Sequence, residues 1–300
     1  MIGEMEHRLP NDLPAVARYR EFVPCDALRP NVRALFAFTL PAGTDAGRRP
    51  LIRETVFRAG QPFWSGLFAD GHASVVFSFG GGYSIDGLWH PGEHECCGHL
   101  IGAMSRARTA SHGGQLIQVG AYLRPGAAAI VVRAAASEFT DRVVSLADLW
   151  GGEVEEMDAE IREGASDVDR ITRLERSLLR RIRHRESRTS SIDAAGLAAA
   201  VVKNPGPWTV ENMAHAAGVS RQQLTRVFRE RIGITPKLYC RLARFHTVLK
   251  RAGKPTGRDW VRIAAETGYV DQSHMIADFR RFSGATPAQL VERQLFHPFC

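Results

Sequence analysis

The chain has 300 residues, a formal net charge of +7 and 44 % hydrophobic residues, enough for two ordinary cores. No apolar run approaches the ~20 residues that a membrane helix requires. The start MIGEMEHRLP lacks a basic stretch followed by an apolar one, and five cysteines show no framework spacing. These features set aside a membrane-spanning or disulfide-scaffolded protein. They predict a cytoplasmic protein in a reducing compartment, with no membrane partner.

The N-terminal half carries strand signals. Runs rich in β-branched and aromatic residues lie at Val32–Leu40, Leu51–Phe57, Ser74–Phe79 and Gln115–Leu123. Turn signals bound them: Pro41-Ala42-Gly43, Asp70-Gly71 and Gly80-Gly81-Gly82. Four or more strands imply a small sandwich or barrel.

Within this half, His90, His94, Cys96, Cys97 and His99 form a dense cluster, HPGEHECCGH. Imidazoles and thiolates at this density can bind Zn²⁺ or Cu⁺. The vicinal pair is also a candidate redox or alkylation sensor. Against that stand the lack of C-x-x-C spacing and strand alternation, which sends Cys96 and Cys97 to opposite faces. Two buried structural cysteines with surface histidines on a loop are the favoured reading of the cluster, so no metal and no cofactor are assigned.

After Pro125-Gly126, the alanine-rich AAAIVVRAAA begins a helix, and a mixed stretch Glu138–Trp150 follows. Further helices are predicted at about 153–163, 167–185 and 191–203. In the second of these, Val168, Ile171, Leu174, Leu178 and Ile182 form one apolar stripe. It suits a dimer contact or the outer helix of the N-terminal core, and we expect the dimer contact. Ser187–Ser191 reads as a flexible junction.

Beyond residue 204 a pattern occurs twice. Gly218, Phe228, Gly233, Thr235 and Pro236 reappear as Gly268, Phe279, Gly284, Thr286 and Pro287 at an offset of 50 or 51. A fixed offset across unlike residue types indicates two copies of one supersecondary unit. Each copy reads as helix-turn-helix, whose second helix can enter a DNA major groove.

In the first copy Thr209 N-caps the helix TVENMAHAA and Gly218 supplies the turn. Ser220 caps the next helix, with Gln223 completing a capping box. Leu224, Val227 and Phe228 form its buried stripe, and Gln222, Thr225, Arg226 and Arg229 occupy the opposite face. In the second copy Asp271 is the N-cap, and Met275, Phe279 and Phe282 face inward. Gln272, Ser273, Ile276, Ala277 and Arg280 line the other side. Ile276 and Ala277 make no hydrogen bonds, so this helix is expected to specify bases less sharply. Arg280 and Arg281 are expected on phosphates, which set register without reading sequence. Thr235 and Pro236 open a connecting helix to Ala252 that fixes the two units relative to each other. If they lie on one face, about one turn of B-DNA, ~34 Å, separates the two insertions. Cys240 in this helix is expected to have a packing role.

The segments MAHAAGVSRQQLTRVFRERIGITPKLYCRLAR and RIAAETGYVDQSHMIADFRRFSGATP resemble the DNA-binding domain of the AraC-type transcription regulators over residues 208–294. The resemblance implies that Arg221, Gln222, Thr225 and Arg226 in the first helix, and Gln272, Ser273 and Ala277 in the second, read bases. An arginine is frequent in that family where Ala277 stands. The stretch GAYLRPGAAAIVVRAAASEFTDRVVSLADLWG, with ADGHASVVFSFGG before it, resembles the N-terminal domain of an AraC-type subgroup. That resemblance implies a cupin-like sensor or dimerisation domain.

Charge agrees. From Ala200 to the end, 16 Lys and Arg face 7 Asp and Glu, a net of +9, while residues 1–199 hold 23 against 25. A local basic surplus is the electrostatic footprint of polyanion binding.

The expectation is an α+β multidomain chain. A β-rich, cupin-like sensor domain spans 1–160, a helical connector or dimerisation segment 161–203, and an all-α double helix-turn-helix domain 204–300. Its function is that of a sequence-specific DNA-binding regulator of transcription, modulated by an unknown small-molecule effector. Double-stranded DNA, RNA polymerase and a second copy of the chain are the partners. The competing reading is a DNA reader with cysteine-based alkyl-acceptor activity or metal or redox sensing at the His90–Cys97 cluster. Cys96 and Cys97 lack the Pro-Cys-His-Arg context of such acceptors. No Gly-x-Ser-x-Gly, phosphate loop or dinucleotide fingerprint is present, so no enzyme is expected.

Overall fold

The structure, a computed structural model, describes residues 4–5, 18–40, 69–90, 98–112, 115–183, 192–252 and 259–292. The expected strand Leu51–Phe57, the turn Pro41-Ala42-Gly43 and the junction Ser187–Ser191 lie outside these residues. A β-rich N-terminal half precedes a helical C-terminal half.

The strands are β1 (Glu4–Met5), β2 (Arg18–Phe22), β3 (Val32–Leu40), β4 (Ser74–Gly80), β5 (Tyr83–Ile85), β6 (Leu88–His90), β7 (Gly98–Ile101), β8 (Ala110–His112), β9 (Leu116–Leu123) and β10 (Val143–Ser145). Seven form an antiparallel sheet in the order β1-β2-β3-β9-β4-β7-β10, and β6-β5-β8 form a smaller one. The expected strand runs at 32–40, 74–79 and 115–123 are β3, β4 and β9. They lie side by side at the centre.

The central strands are largely apolar because both sheet faces are covered. On β3, Leu35 and Ala37 face one core while Ala34, Phe36 and Phe38 face another. Alternation places successive side chains on opposite faces, so one strand serves both cores. Gly120 on β9 sits where Phe36 and β4 approach closely. A Cβ there would stand 2.5 Å from both the Phe36 ring and the Val75 carbonyl oxygen.

The first core is closed by α1 (Ala127–Val132), α2 (Leu146–Trp150), α3 (Glu153–Arg162) and α4 (Asp167–Arg183). The alanine-rich run forms a helix only as far as Val132, because Arg133 adopts a left-handed conformation at φ 61°. Its remaining alanines lead into a 3₁₀ turn, Ala136–Glu138. The apolar stripe of α4 does not form a free dimer face. Ile171, Leu174 and Leu178 are fully buried against the chain's own sheet and helices, although Val168 is exposed. Arg181 secures this docking. Its guanidinium pairs with Glu153, donates to the Val131 carbonyl at 2.9 Å and stacks over Trp150 at 4.3 Å.

The C-terminal half comprises α5 (Ala194–Lys203), α6 (Val210–Ala216), α7 (Arg221–Arg231), α8 (Pro236–Ala252), α9 (Trp260–Glu266), α10 (Gln272–Ser283) and α11 (Pro287–Glu292). Its core is continuous with the second face of the sheet. Thr140 donates to the Gly233 carbonyl at 2.6 Å, the Phe282 carbonyl accepts from Ala69 N–H at 3.1 Å, and the Arg281 carbonyl accepts from Ala107 N–H at 3.0 Å.

Gly120→Ala is expected to destabilise the chain by about 1–3 kcal/mol, because β4 backbone cannot yield to the added methyl. Urea unfolding of the full chain followed by circular dichroism checks this. An unchanged midpoint would contradict the close approach.

Candidate DNA-binding surface

Each helix-turn-helix unit is set by its caps. Thr209 accepts from Asn212 N–H at 3.2 Å, and Asn212 answers from its side chain to Thr209 N–H at 2.7 Å. The reciprocal capping box thus belongs to α6. In α7, Ser220 accepts from Gln223 N–H at 3.1 Å. Asp271 caps α10 through His274 N–H at 2.7 Å, and Asp259 caps α9 through two backbone N–H groups. Gly218 and Gly268 hold φ of 64° and 82° at the turns, a left-handed backbone that favours glycine.

The helices are amphipathic as expected. Leu224, Val227 and Phe228 of α7 are buried, as are Met275, Phe279 and Phe282 of α10. On the outer face of α7, Arg221, Gln222, Arg226 and Arg229 are exposed and Thr225 is half-buried. On α10, Ser273, Ala277, Arg280 and Arg281 are exposed and Gln272 is half-buried. The structure thus places each group of candidate residues on one helix face.

Several features were not apparent from spacing. Arg221 pairs with Glu211 at 2.9 Å, and Arg226 with Glu230 at 3.3 Å. The Glu211 carboxyl is held below the usual carboxylate range by its own N–H at the helix start and by Arg221. The Thr225 hydroxyl donates back to the Arg221 carbonyl at 2.8 Å, so its proton is used within the helix. Val270, just before the Asp271 cap, is 87 % exposed. Ser137 of the N-terminal half borders the groove formed by Glu211, Arg221, Gln222 and Arg226. Arg281 also directs its Nε toward the Ser105 carbonyl at 3.4 Å.

The connecting helix α8 joins the units. Phe245 is fully buried against Phe279 and Phe282, with ring centroids at 4.7 and 5.5 Å. Arg241 pairs with the fully buried Asp278, its Nε donating at 3.0 Å. Cys240 is buried with its Sγ 3.6 Å from Met213 Sδ, and burial pushes the thiol up to about 11. That fits packing.

Of the histidine–cysteine cluster, His94, Cys96 and Cys97 lie outside the described residues. His90 and His99 are buried, not surface groups, and their rings meet at 4.8 Å beside Tyr83. Burial pushes His90 down from the usual imidazole value. Among the described residues no group of three or more metal-ligating side chains occurs. No described helix is long and apolar enough to cross a membrane.

Residues 213–293 match a helix-turn-helix domain family, and residues 20–145 match a domain of unknown function, DUF6597. No curated protein sequence matches the chain. Among solved structures it is similar to the DNA-binding domain of AdpA, a global transcriptional factor, in complex with a target DNA. That match has 23 % identity over 33 % of this chain and 89 % of that one, with a TM-score of 0.31. An AraC-type DNA-binding regulator from Chromobacterium violaceum matches at 22 % identity over 34 % and 91 %, TM-score 0.31. ToxT from Vibrio cholerae matches at 11 % identity over 75 % and 92 %, TM-score 0.43.

Two helix-turn-helix units on one connecting helix are joined to a β-rich half, and residues 213–293 belong to a helix-turn-helix domain family.

Arg241→Ala leaves the buried Asp278 carboxylate unpaired and is expected to cost about 3–5 kcal/mol. Thermal melting of the variant, with DNA affinity measured below its transition, checks this. Wild-type stability would show that the pair does not hold α10 to α8.

Proposed function

We propose that α7 and α10 enter successive major-groove segments on one face of a duplex. Arg226 and Gln222 supply most of the direct readout. An arginine fork matches guanine O6 and N7, and a glutamine amide matches adenine N6 and N7. Arg221, Arg229, Arg280 and Arg281 hold phosphates. The second helix reads more weakly: Gln272 and Ser273 offer hydrogen bonds, while Ala277 and the bare Val270 offer contact with thymine methyls. The observation that carries this reading is the duplicated geometry, a polar Gln and Arg face over a fully buried stripe.

We further propose that the N-terminal domain governs DNA binding through a small-molecule effector, without catalysis, and that RNA polymerase is the downstream partner in the cytoplasm. The functional boundaries of this proposal fall at residues 160 and 203. Helix 167–183 packs in the N-terminal core, and helix 194–203 packs with the C-terminal helices. The α4 stripe is thereby covered within the chain and is not offered to a second copy.

Selection of bound sequences from a random duplex library with the full-length protein tests the reading. A motif in two segments about one helical turn, ~34 Å, apart is expected. Arg226→Ala is expected to lose about 1–3 kcal/mol at its preferred site and to blur one position. Arg229→Ala is expected to weaken all sites alike and reduce the salt slope by about one. Salt-sensitive binding with no enriched motif would overturn sequence-specific reading.

A further inference from the structure

Between the two reading units the helical half carries an open notch of about 450 Å³. Helix α6 contributes Val210 and Glu211 to it, α10 contributes His274, and α8 contributes Lys237, Arg241 and Arg244. Val210 and Glu211 also line the groove along α7, beside Arg221, Gln222 and Arg226. His274 follows Gln272 and Ser273 on α10. The notch is therefore continuous with the α7 surface at one side and reaches the second reading helix at the other.

Its charges do not cancel. Arg241 is offset by the buried Asp278. Glu211, the one carboxylate on the lining among the described residues, is committed to Arg221 at 2.9 Å. Arg244 donates to the Trp208 carbonyl at 3.0 Å and pairs with no carboxylate among the described residues, and its Nε is buried without a hydrogen-bond partner. Lys237 is exposed and likewise makes no ion pair among the described residues. Two cations thus line the notch uncompensated, with an imidazole beside them, and such a surface attracts an anion.

Shape and position decide which anion. A small-molecule site encloses most of its ligand, whereas this notch is open, so it suits a chain laid across it better than an enclosed solute. Between two helices in successive major grooves on one face of a duplex lies the minor groove with its flanking phosphates. We propose that the notch receives this intervening phosphodiester backbone, with Lys237 and Arg244 supplying charge and His274 a ring nitrogen as donor. The proposal rests on the two-insertion reading above and adds to it a phosphate site outside both base-reading faces. Contacts of this kind carry no sequence information and set register.

The test is binding of the full-length protein to a duplex selected from the random library and to a scrambled duplex of equal length, read by fluorescence anisotropy across a salt series. Lys237→Met is expected to weaken both duplexes several-fold and equally. It is expected to reduce the slope of log affinity against log salt by about 0.9, the value for one phosphate of B-DNA. Preference for the selected duplex and the melting temperature are expected to stay at the wild-type values, and Lys237→Arg to restore affinity. A second arm places neutral methylphosphonates in the selected duplex at the linkages between its two segments. These are expected to weaken binding by the wild type and to cost Lys237→Met little more. An unchanged salt slope in Lys237→Met, or a loss confined to the selected duplex, would overturn the proposal. So would methylphosphonates that weaken variant and wild type by the same factor. Equal wild-type affinity for the two duplexes sinks sequence-specific reading instead, and the salt slope of Lys237→Met still decides whether the notch holds phosphate.

Discussion

The burial of α8 along its length is the constraint on which the rest of the molecule depends. Tyr239, Leu242, Phe245, Val248 and Leu249 of this helix are all within the core. Its N-terminal part packs on the first reading unit, where Phe228 meets Tyr239 edge-on at 6.1 Å. Further along, Phe245 packs on Phe279 and Phe282, and Arg241 holds Asp278. One rod therefore carries both reading helices, and neither can turn without opening a close-packed aromatic contact. Such a rod would present both helices to a duplex at one spacing, even in a single chain.

The same rod forms the floor of the contact with the N-terminal domain. The Ala69 carbonyl stands 3.1 Å from His246 Nε2, and Gly71 lies against Leu242, Ile234 and Tyr239. A Cβ at Gly71 would stand 3.1 Å from Leu242 and 3.3 Å from Ile234, and its φ of 69° favours glycine. The sheet thus rests on the element that sets the geometry of DNA reading. Two further contacts lie near the reading surface itself: Thr140 holds the turn after α7 through Gly233, and Ser105 stands beside Arg281. Under the proposed effector control, a change in how the sheet seats on α8 would reach both reading helices at once. It would need no separate path through the protein.

The C-terminal domain was legible because its signals are local. Thr209, Ser220 and Asp271 cap where side-chain chemistry says they should, and Gly218 and Gly268 turn where the repeat places them. Strands β3, β4 and β9 were legible because burial on both faces makes them long and apolar. Strands β5, β6, β8 and β10 span three residues each, too few to show a period of two, and their pairing is decided by distant partners. The stripe of α4 shows a different limit. Periodicity identifies an apolar face but not what covers it, since the chain's own sheet and a second copy remove the same surface from water. Lys237, Arg244 and His274 come from two separate helices, so no spacing could have joined them.

The reading surface combines two kinds of recognition. On α7 the arginines are held in advance by acidic neighbours, Arg221 by Glu211 and Arg226 by Glu230. Exposed pairs of this kind contribute little stability, so exchanging a carboxylate for a phosphate or a guanine edge costs little. What the pairing supplies is direction, because it restricts two flexible side chains before DNA arrives. On α10 the corresponding centre is Ala277, with Val270 bare at the helix start, and neither offers a hydrogen bond. In the proposed binding mode, hydrogen-bond readout would therefore be concentrated in the first half-site, while apolar contact and phosphate clamping would dominate the second. Since α8 holds the two helices together, in that mode the sharper reader would fix the register, and the blunter one would add affinity at a position already chosen.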